Sequence, residues 1–293
     1  MVADYHALTT VRDSGTLRQN IIDSVKDYLA AGLDTDTAVL FQQSQVHEHT
    51  ELAWILECLV TVPFLQLSHA YKDKVAKGIE PTAGLFNYPM LMAADILLYD
   101  TQIVPVGKDQ QQHIEYAREA ANKFNNAYGE TFVLPEAKIN EDVATIPGTD
   151  GNKMSKSYKN TIPLFGTRDE IAKAVMSIVT DSGFAQDFIT KSNQTLPGDL
   201  AVPQPVNVFL IHRLFKKDAE ILKLYEENVN NYKALKEALI EDIEAVMAPM
   251  RTKRDSITDA DVVRVLREGS DKARAVASAK MAQVRKKVGV SLQ

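Results

Sequence analysis

"IVPVGKDQQQHIE", Ile103 to Glu115, runs a short β-favouring segment into a glycine and then into a polar helix start. Ile114, Ala117, Ala121, Phe124 and Tyr128 continue it as a helical stripe that stops at Gly129. One strand followed by one helix is half of a crossover unit, and the upstream sequence repeats the pattern. Leu17, Ile21, Val25 and Leu29 recur every four residues up to Gly32, and "AVLFQ" from Ala38 reads as a buried strand. A helix carrying Trp54 follows. "NYPMLMAADILLY" from Asn87 is another, with Asn87 as its expected cap and Pro89 near its first turn. Strands separated by helices predict an α/β protein with a doubly wound parallel sheet covered on both faces. Ligands of such sheets bind beyond the carboxyl ends of the strands. Gly107 to Gln110 lie at one such end, and His6, after "MVADY", lies at another.

After residue 165 the strands stop. Tyr232, Leu235, Leu239, Ile243, Val246 and Met250 form a helical repeat, and Thr258 is placed to cap a last long helix running to Lys287. The expected organisation is a sheet domain over 1–165 and a helical domain over 166–293. Residues 232–293 hold 13 Lys and Arg against 9 Asp and Glu, a net +4, in a chain whose total is −6. A basic end on an acidic protein suits a polyanionic partner such as a nucleic acid, and equally suits a solvated helix face.

At 293 residues, 45% apolar and 25% charged, the composition is that of an ordinary globular protein. Cys58 is the single cysteine, so an internal disulfide and a cysteine-based zinc cluster are both excluded; a reducing, cytoplasmic location is expected. Within "LECLV", Cys58 reads as a buried small apolar residue. The longest apolar run, Leu52 to Leu67, is broken by Glu57 and Pro63 and is too short for a bilayer, so no membrane partner is expected.

Neither a G-x-x-x-x-G-K-[ST] nor a G-x-G-x-x-G phosphate cradle occurs, and no metal site is expected from His47 and His49 flanking Glu48. Three segments carry potential chemistry. At Gly107–Gln110 a helix start offers free N–H groups to an anion, with Asp109 a candidate cap and Gln110 at the mouth. In "YPMLMAADILLYD", Met92, Asp95 and Tyr99 share a helical face; a carboxylate among Ala, Ile and Leu must be paired, either structurally or by a ligand N–H. In "GTDGNKMSKSYKN", residues 148–160, two lysines three apart sit on a segment with no helix or strand pattern. They suit a polyanion that gains charge during a reaction, or merely a solvated loop.

"KMSKS" (Lys153–Ser157) is similar to the signature loop of class I aminoacyl-tRNA synthetases. With "LMAADILLY", "VPVGKDQQQHIE", "NAYGE", "VTDS" and "DKARAVA", the whole chain resembles the bacterial-type tryptophanyl members, the tyrosyl enzymes being the near relatives. The resemblance implies a Rossmann-like sheet domain followed by a helical tRNA-binding domain, with ATP and Mg²⁺, tryptophan and tRNA(Trp) as partners in a homodimer. It implies that Asp95 accepts from the indole N–H, that Met92 packs on the ring, and that Tyr88, Gln110 and His6 complete the amino-acid pocket. Gly107, Lys108, Asp109, Ile146 and the loop Lys153, Met154, Ser155, Lys156 and Ser157 would meet ATP, with Lys153 and Lys156 acting on the departing pyrophosphate.

The family's second signature, H-I-G-H-like on the first strand–helix unit, does not occur in these residues. The expectation is therefore that about one strand–helix–strand segment is missing ahead of Met1 and that the chain as written is a poor ligase. A synthetase-like protein that binds tRNA or an amino acid without catalysis is the alternative.

Overall fold

Segment 103–139 folds around two short parallel strands, β1 (Ile103–Val106) and β2 (Glu136–Ile139), joined through helix α7 (Gln111–Tyr128). Their register pairs Ile103 with Glu136 and Val106 with Ile139. Ile114, Ala117, Ala121 and Phe124, the predicted stripe, are the buried face of α7. The structure, a computed structural model, describes residues 1–78, 80–107, 111–139, 146–180 and 203–292. Lys108, Asp109 and Gln110, and the Asp181 and Ser182 of "VTDS", lie outside the described residues, as does the side chain of Ser157.

Two compact units form, one from Met1–Asn140 with Ile257–Gln293, the other from Glu141–Ser256. This division departs from the sequence-based boundary at 165/166. The reason is packing: the last helix returns to the first unit, while Ile146 and Ile162 pack into the helical core of the second.

The first unit carries helices α1 (Asp4–Ala7), α2 (Ser14–Ala30), α3 (Glu48–Glu57), α4 (Val62–Leu65), α5 (His69–Ala76), α6 (Ala83–Leu97) and α7. Asp13 caps α2 by accepting from the Thr16 N–H at 2.6 Å. Helix α6 starts earlier than the sequence suggests: Thr82 is its cap and Pro89 lies inside it. Burial of Met90, Ala93, Ala94 and Leu97 favours the uninterrupted helix over the break a proline would otherwise cause. The expected strand from Ala38 does not form: the Ala38 N–H closes a turn on the Asp34 carbonyl at 2.9 Å, Leu40 and Phe41 are buried, and one parallel bridge joins Val2 to Gln42. Cys58 corrects the expectation of burial; α3 ends at Glu57 and leaves the thiol exposed.

Helix α12 (Asp259–Val288) begins at Thr258, whose hydroxyl and the Asp261 carboxylate close a reciprocal cap. It lies against the 40–48 segment so tightly that a Cβ on Gly269 would fall 1.9 Å from the Leu40 carbonyl oxygen. No side chain larger than hydrogen fits there. Ala273, Ala277, Met281 and Val284 complete its buried face in the core shared with α3, α6 and α7.

The second unit is helical: α8 (Arg168–Met176), α9 (Val206–His212), α10 (Asp218–Glu227) and α11 (Tyr232–Ser256). Ile171, Val175, Phe209, Ile221, Leu235 and Leu239 are among its fully buried core. None of the described helices is long and apolar enough to cross a membrane.

Candidate active site

Asp95 sits in the last turn of α6 with a side chain only 9% exposed. It is surrounded by donors from three separate elements. His6 on α1 places Nε2 2.8 Å from Oδ2, and the Gln43 amide donates to Oδ1 at 2.8 Å and to Oδ2 at 3.0 Å. His49 on α3 brings Nδ1 to 2.6 Å from Oδ1, while its Nε2 meets the Tyr99 hydroxyl at 2.9 Å. Burial pushes the Asp95 carboxyl up, but the imidazoles of His49 and His6 more than offset it, so the acid is held below its ordinary value. Asp95 is thus a buried, ionised, acceptor-only group held by an amide and two imidazoles. Burial, and then the charges of Asp95 and Glu48, push the Tyr99 phenol up, so it stays a neutral donor.

Of the other sequence-predicted amino-acid contacts, Tyr88 and Met92 share helix α6 with Asp95. Tyr88, seven residues before Asp95 on α6, meets His113 Nε2 at 2.5 Å and Ser68 Oγ at 3.3 Å, and its ring stands edge-on to His6 at 6.3 Å. Met92 is half-buried against the core. Gly107 is exposed at the carboxyl end of β1, where the sequence places a ligand. A cavity of about 470 Å³ is walled by α1, α3 and α6. It touches the cluster only at His6 and Tyr88; Asp95 and Met92 are not among its walls, and Trp54 and Leu91 give it an apolar side. It is therefore not the acceptor's own pocket.

The lysine segment belongs to the second unit and is less loose than its composition suggests. Lys153 pairs with Pro147 in an antiparallel bridge, and the Met154 N–H donates to the Ile146 carbonyl at 2.8 Å. Buried Asn160 ties the base: its amide donates to Asp150 at 2.7 Å and to the Lys153 carbonyl at 3.1 Å, and its Oδ1 accepts from the Ser155 N–H at 2.7 Å. Gly148 is needed for this knot, because a Cβ there would lie 2.3 Å from the Asn160 amide nitrogen. Burial pushes Asp150 up, but the Asn160 and Asn152 donors outweigh it, and its carboxyl is lowered. Above the knot, Lys153 and Lys156 are exposed, the latter opening a 3₁₀ turn over Lys156–Tyr158. Two cations project from a base that is fixed.

Sequence reasoning missed Gln43, His49, His113 and Asn160. In the sequence His49 reads only as a possible metal ligand beside Glu48; His113 and Asn160 lie in the quoted segments with nothing to mark their partners, and Gln43 lies in a polar run without a period.

The sequence matches the family described as tRNA synthetases class I (W and Y) over residues 1–248. The chain belongs to that family. Among its relatives, the tryptophan–tRNA ligase of Rhodopirellula baltica is 46% identical, the match covering 99% of this chain and 88% of that protein. That of Fusobacterium nucleatum is 44% identical over 99% and 87%. The crystal structure of the Campylobacter jejuni tryptophanyl-tRNA synthetase complexed with ADP and tryptophan superposes with a TM-score of 0.84 at 41% identity, over 98% of this chain and 88% of that one. As a class I synthetase the chain is an enzyme of aminoacyl transfer with a Rossmann-like α/β fold, and its parallel β1–α7–β2 unit is a described part of that fold.

Proposed function

We propose that this synthetase is a tryptophan–tRNA ligase, and the observation that carries the reading is Asp95. A buried, ionised acceptor held in place by His6, His49 and Gln43 suits a ring with one N–H donor, which phenylalanine lacks. The relatives named tryptophan–tRNA ligase favour tryptophan over tyrosine, whose phenol also donates. Asp95, Met92, Tyr88, Gln110 and His6 would form the amino-acid pocket.

The tryptophan carboxylate attacks the α-phosphorus of ATP, pyrophosphate leaves, and the acyl group passes to the terminal ribose of tRNA. Such chemistry needs positioning and charge stabilisation rather than a protein nucleophile. Gly107, Lys108, Asp109 and Ile146 would hold the nucleotide with the loop Lys153, Met154, Ser155, Lys156 and Ser157. Mg²⁺ enters with the nucleotide phosphates. Lys153 and Lys156, exposed above a tied base, supply positive charge as pyrophosphate departs. Helix α12 offers its basic end to tRNA. Trp54, 67% exposed beside the cavity, and Leu8 near it support a homodimer; the reading also places the enzyme in the cytoplasm.

Calorimetric titration with tryptophan and with tyrosine tests the reading, alongside Asp95→Ala. Tryptophan is expected to bind the tighter, and Asp95→Ala to weaken it by about 1.5–3 kcal/mol, one hydrogen bond to a charged group. Equal or tighter tyrosine binding overturns it.

A further inference from the structure

Of the three side chains that surround Asp95, Gln43 alone is an obligate donor. The imidazoles of His6 and His49 donate or accept according to tautomer; an amide NH₂ can only donate. Its orientation is also unambiguous. Gln43 Oε1 accepts from the Tyr5 N–H at 3.2 Å while Nε2 faces both Asp95 oxygens. A flipped amide would set oxygen against carboxylate and NH₂ against N–H, so both contacts would become repulsive.

The backbone that carries Gln43 is fixed as firmly. Its N–H donates to the Val2 carbonyl at 3.0 Å, and the neighbouring Ser44 N–H and Gln42 amide donate to the buried Asp4 at 3.0 and 2.7 Å. From α12, the Arg274 guanidinium donates to the Gln45 carbonyl at 2.5 and 3.2 Å. Gln43 itself has no exposed surface. A buried donor bridging both oxygens of a carboxylate fixes the carboxylate's plane, and with it the directions from which either oxygen accepts another donor.

We propose that Gln43 is a positioning residue for amino-acid specificity, holding the Asp95 carboxylate as an oriented acceptor for the substrate's ring N–H. The proposal rests on the tryptophan reading above. Its signature is a coupling between Gln43 and that one N–H, which general loosening of a pocket does not produce.

The probe is a ligand pair: tryptophan and benzothienylalanine, which has sulfur in place of the ring N–H. The full chain is titrated with each by calorimetry. The wild-type protein should prefer tryptophan by about tenfold or more, the worth of a hydrogen bond to a charged group. Gln43→Met, which keeps length and burial, should bring that ratio below about threefold. If Gln43→Met weakens both ligands equally and keeps the wild-type ratio, Gln43 is structural and the proposal is overturned while the tryptophan reading stands. If the wild type shows no preference, the reading itself falls and takes the proposal with it.

Should the methionine variant not fold, Gln43→Glu keeps the acceptor for the Tyr5 N–H and sets a second carboxylate against Asp95. His6, His49 and the Met1 amino group, and beyond them Tyr99 and Glu48, are the other titratable groups facing this site. Two adjoining carboxylates share a proton more readily as pH falls. The ligand ratio should therefore be low at pH 8 and recover toward wild type at pH 6, where the shared proton restores a donor. A wild-type ratio at both pH values overturns the proposal.

Discussion

Asp95 is 9% exposed and meets Gln43, His6 and His49 within 3.0 Å, whereas Lys153 and Lys156 stand in solvent above a knot tied by Asn160. The first region spends many groups to hold one acceptor still. The second holds only the base of its turn and leaves its charges to move. The contrast follows from what each region must recognise. A ring N–H has one position and one direction, so discrimination comes from an acceptor that does not relax toward the wrong ligand. Pyrophosphate gains charge and then departs, so the groups that stabilise it must engage late and release.

That contrast breaks if the lysines only bind ground-state ATP. Lys156→Ala is expected to lower tryptophan-dependent ATP–pyrophosphate exchange by about 10²-fold or more, on the scale of losing one preorganised charge partner. The Michaelis constant for ATP should move by less than about threefold. A change confined to that constant would make the loop a binding contact.

A smaller effect separates the two regions by pH. In the second unit His212 is fully buried, its Nε2 2.7 Å from Asp242 Oδ2, and Lys216 shares that carboxylate at 3.0 Å. Burial lowers the imidazole below its ordinary value of 6.5 and outweighs the raising effect of Asp242. A folded value below the unfolded one means the unfolded chain takes the proton first. Stability is therefore full above about pH 7 and is lost as pH falls through 6.5, by at most about 1.4 kcal/mol per pH unit. Asp95 is also depressed, but as a carboxylate it loses its contribution only at more acid pH. Thermal melts between pH 7.5 and 5.5 should show the wild type losing stability on acidification and His212→Gln losing less. Parallel pH profiles would exclude His212 as the titrating group.

The parts of this architecture legible in the sequence are those where a local rule suffices. The β1–α7 unit could be read from a strand, a glycine and one apolar stripe. Asp95 could be found because a carboxylate between Ala94 and Ile96 has to be paired. What it pairs with could not: Gln43 reaches it across 52 residues, from a segment whose polar run "QQSQ" carries no period. The discontinuous first unit escaped for a related reason. The stripe of α12 says which face is apolar but not that Gly269 lets that face close onto Leu40. Pro89 misled because local propensity favours a helix start there, while burial of its neighbours continues the helix through it.

The smallest effect expected is at the basic end of α12, and it asks whether the moving-charge region has a second, static counterpart for tRNA. Arg285 is already committed, with Nε 2.7 Å from Glu51, and replacing it would cost an ion pair as well as a charge. Lys286 and Lys287 are exposed and are the better probe. Every phosphate that a lysine no longer neutralises should lower the slope of log affinity against log salt by roughly 0.7–0.9. Lys286→Gln with Lys287→Gln should therefore weaken tRNA binding a few-fold and flatten the salt dependence, leaving pyrophosphate exchange unchanged. Filter binding of tRNA across a salt series measures the slope. An unaltered slope would return these lysines to the role of a solvated helix end, whose charge answers only the carbonyls of its last turn.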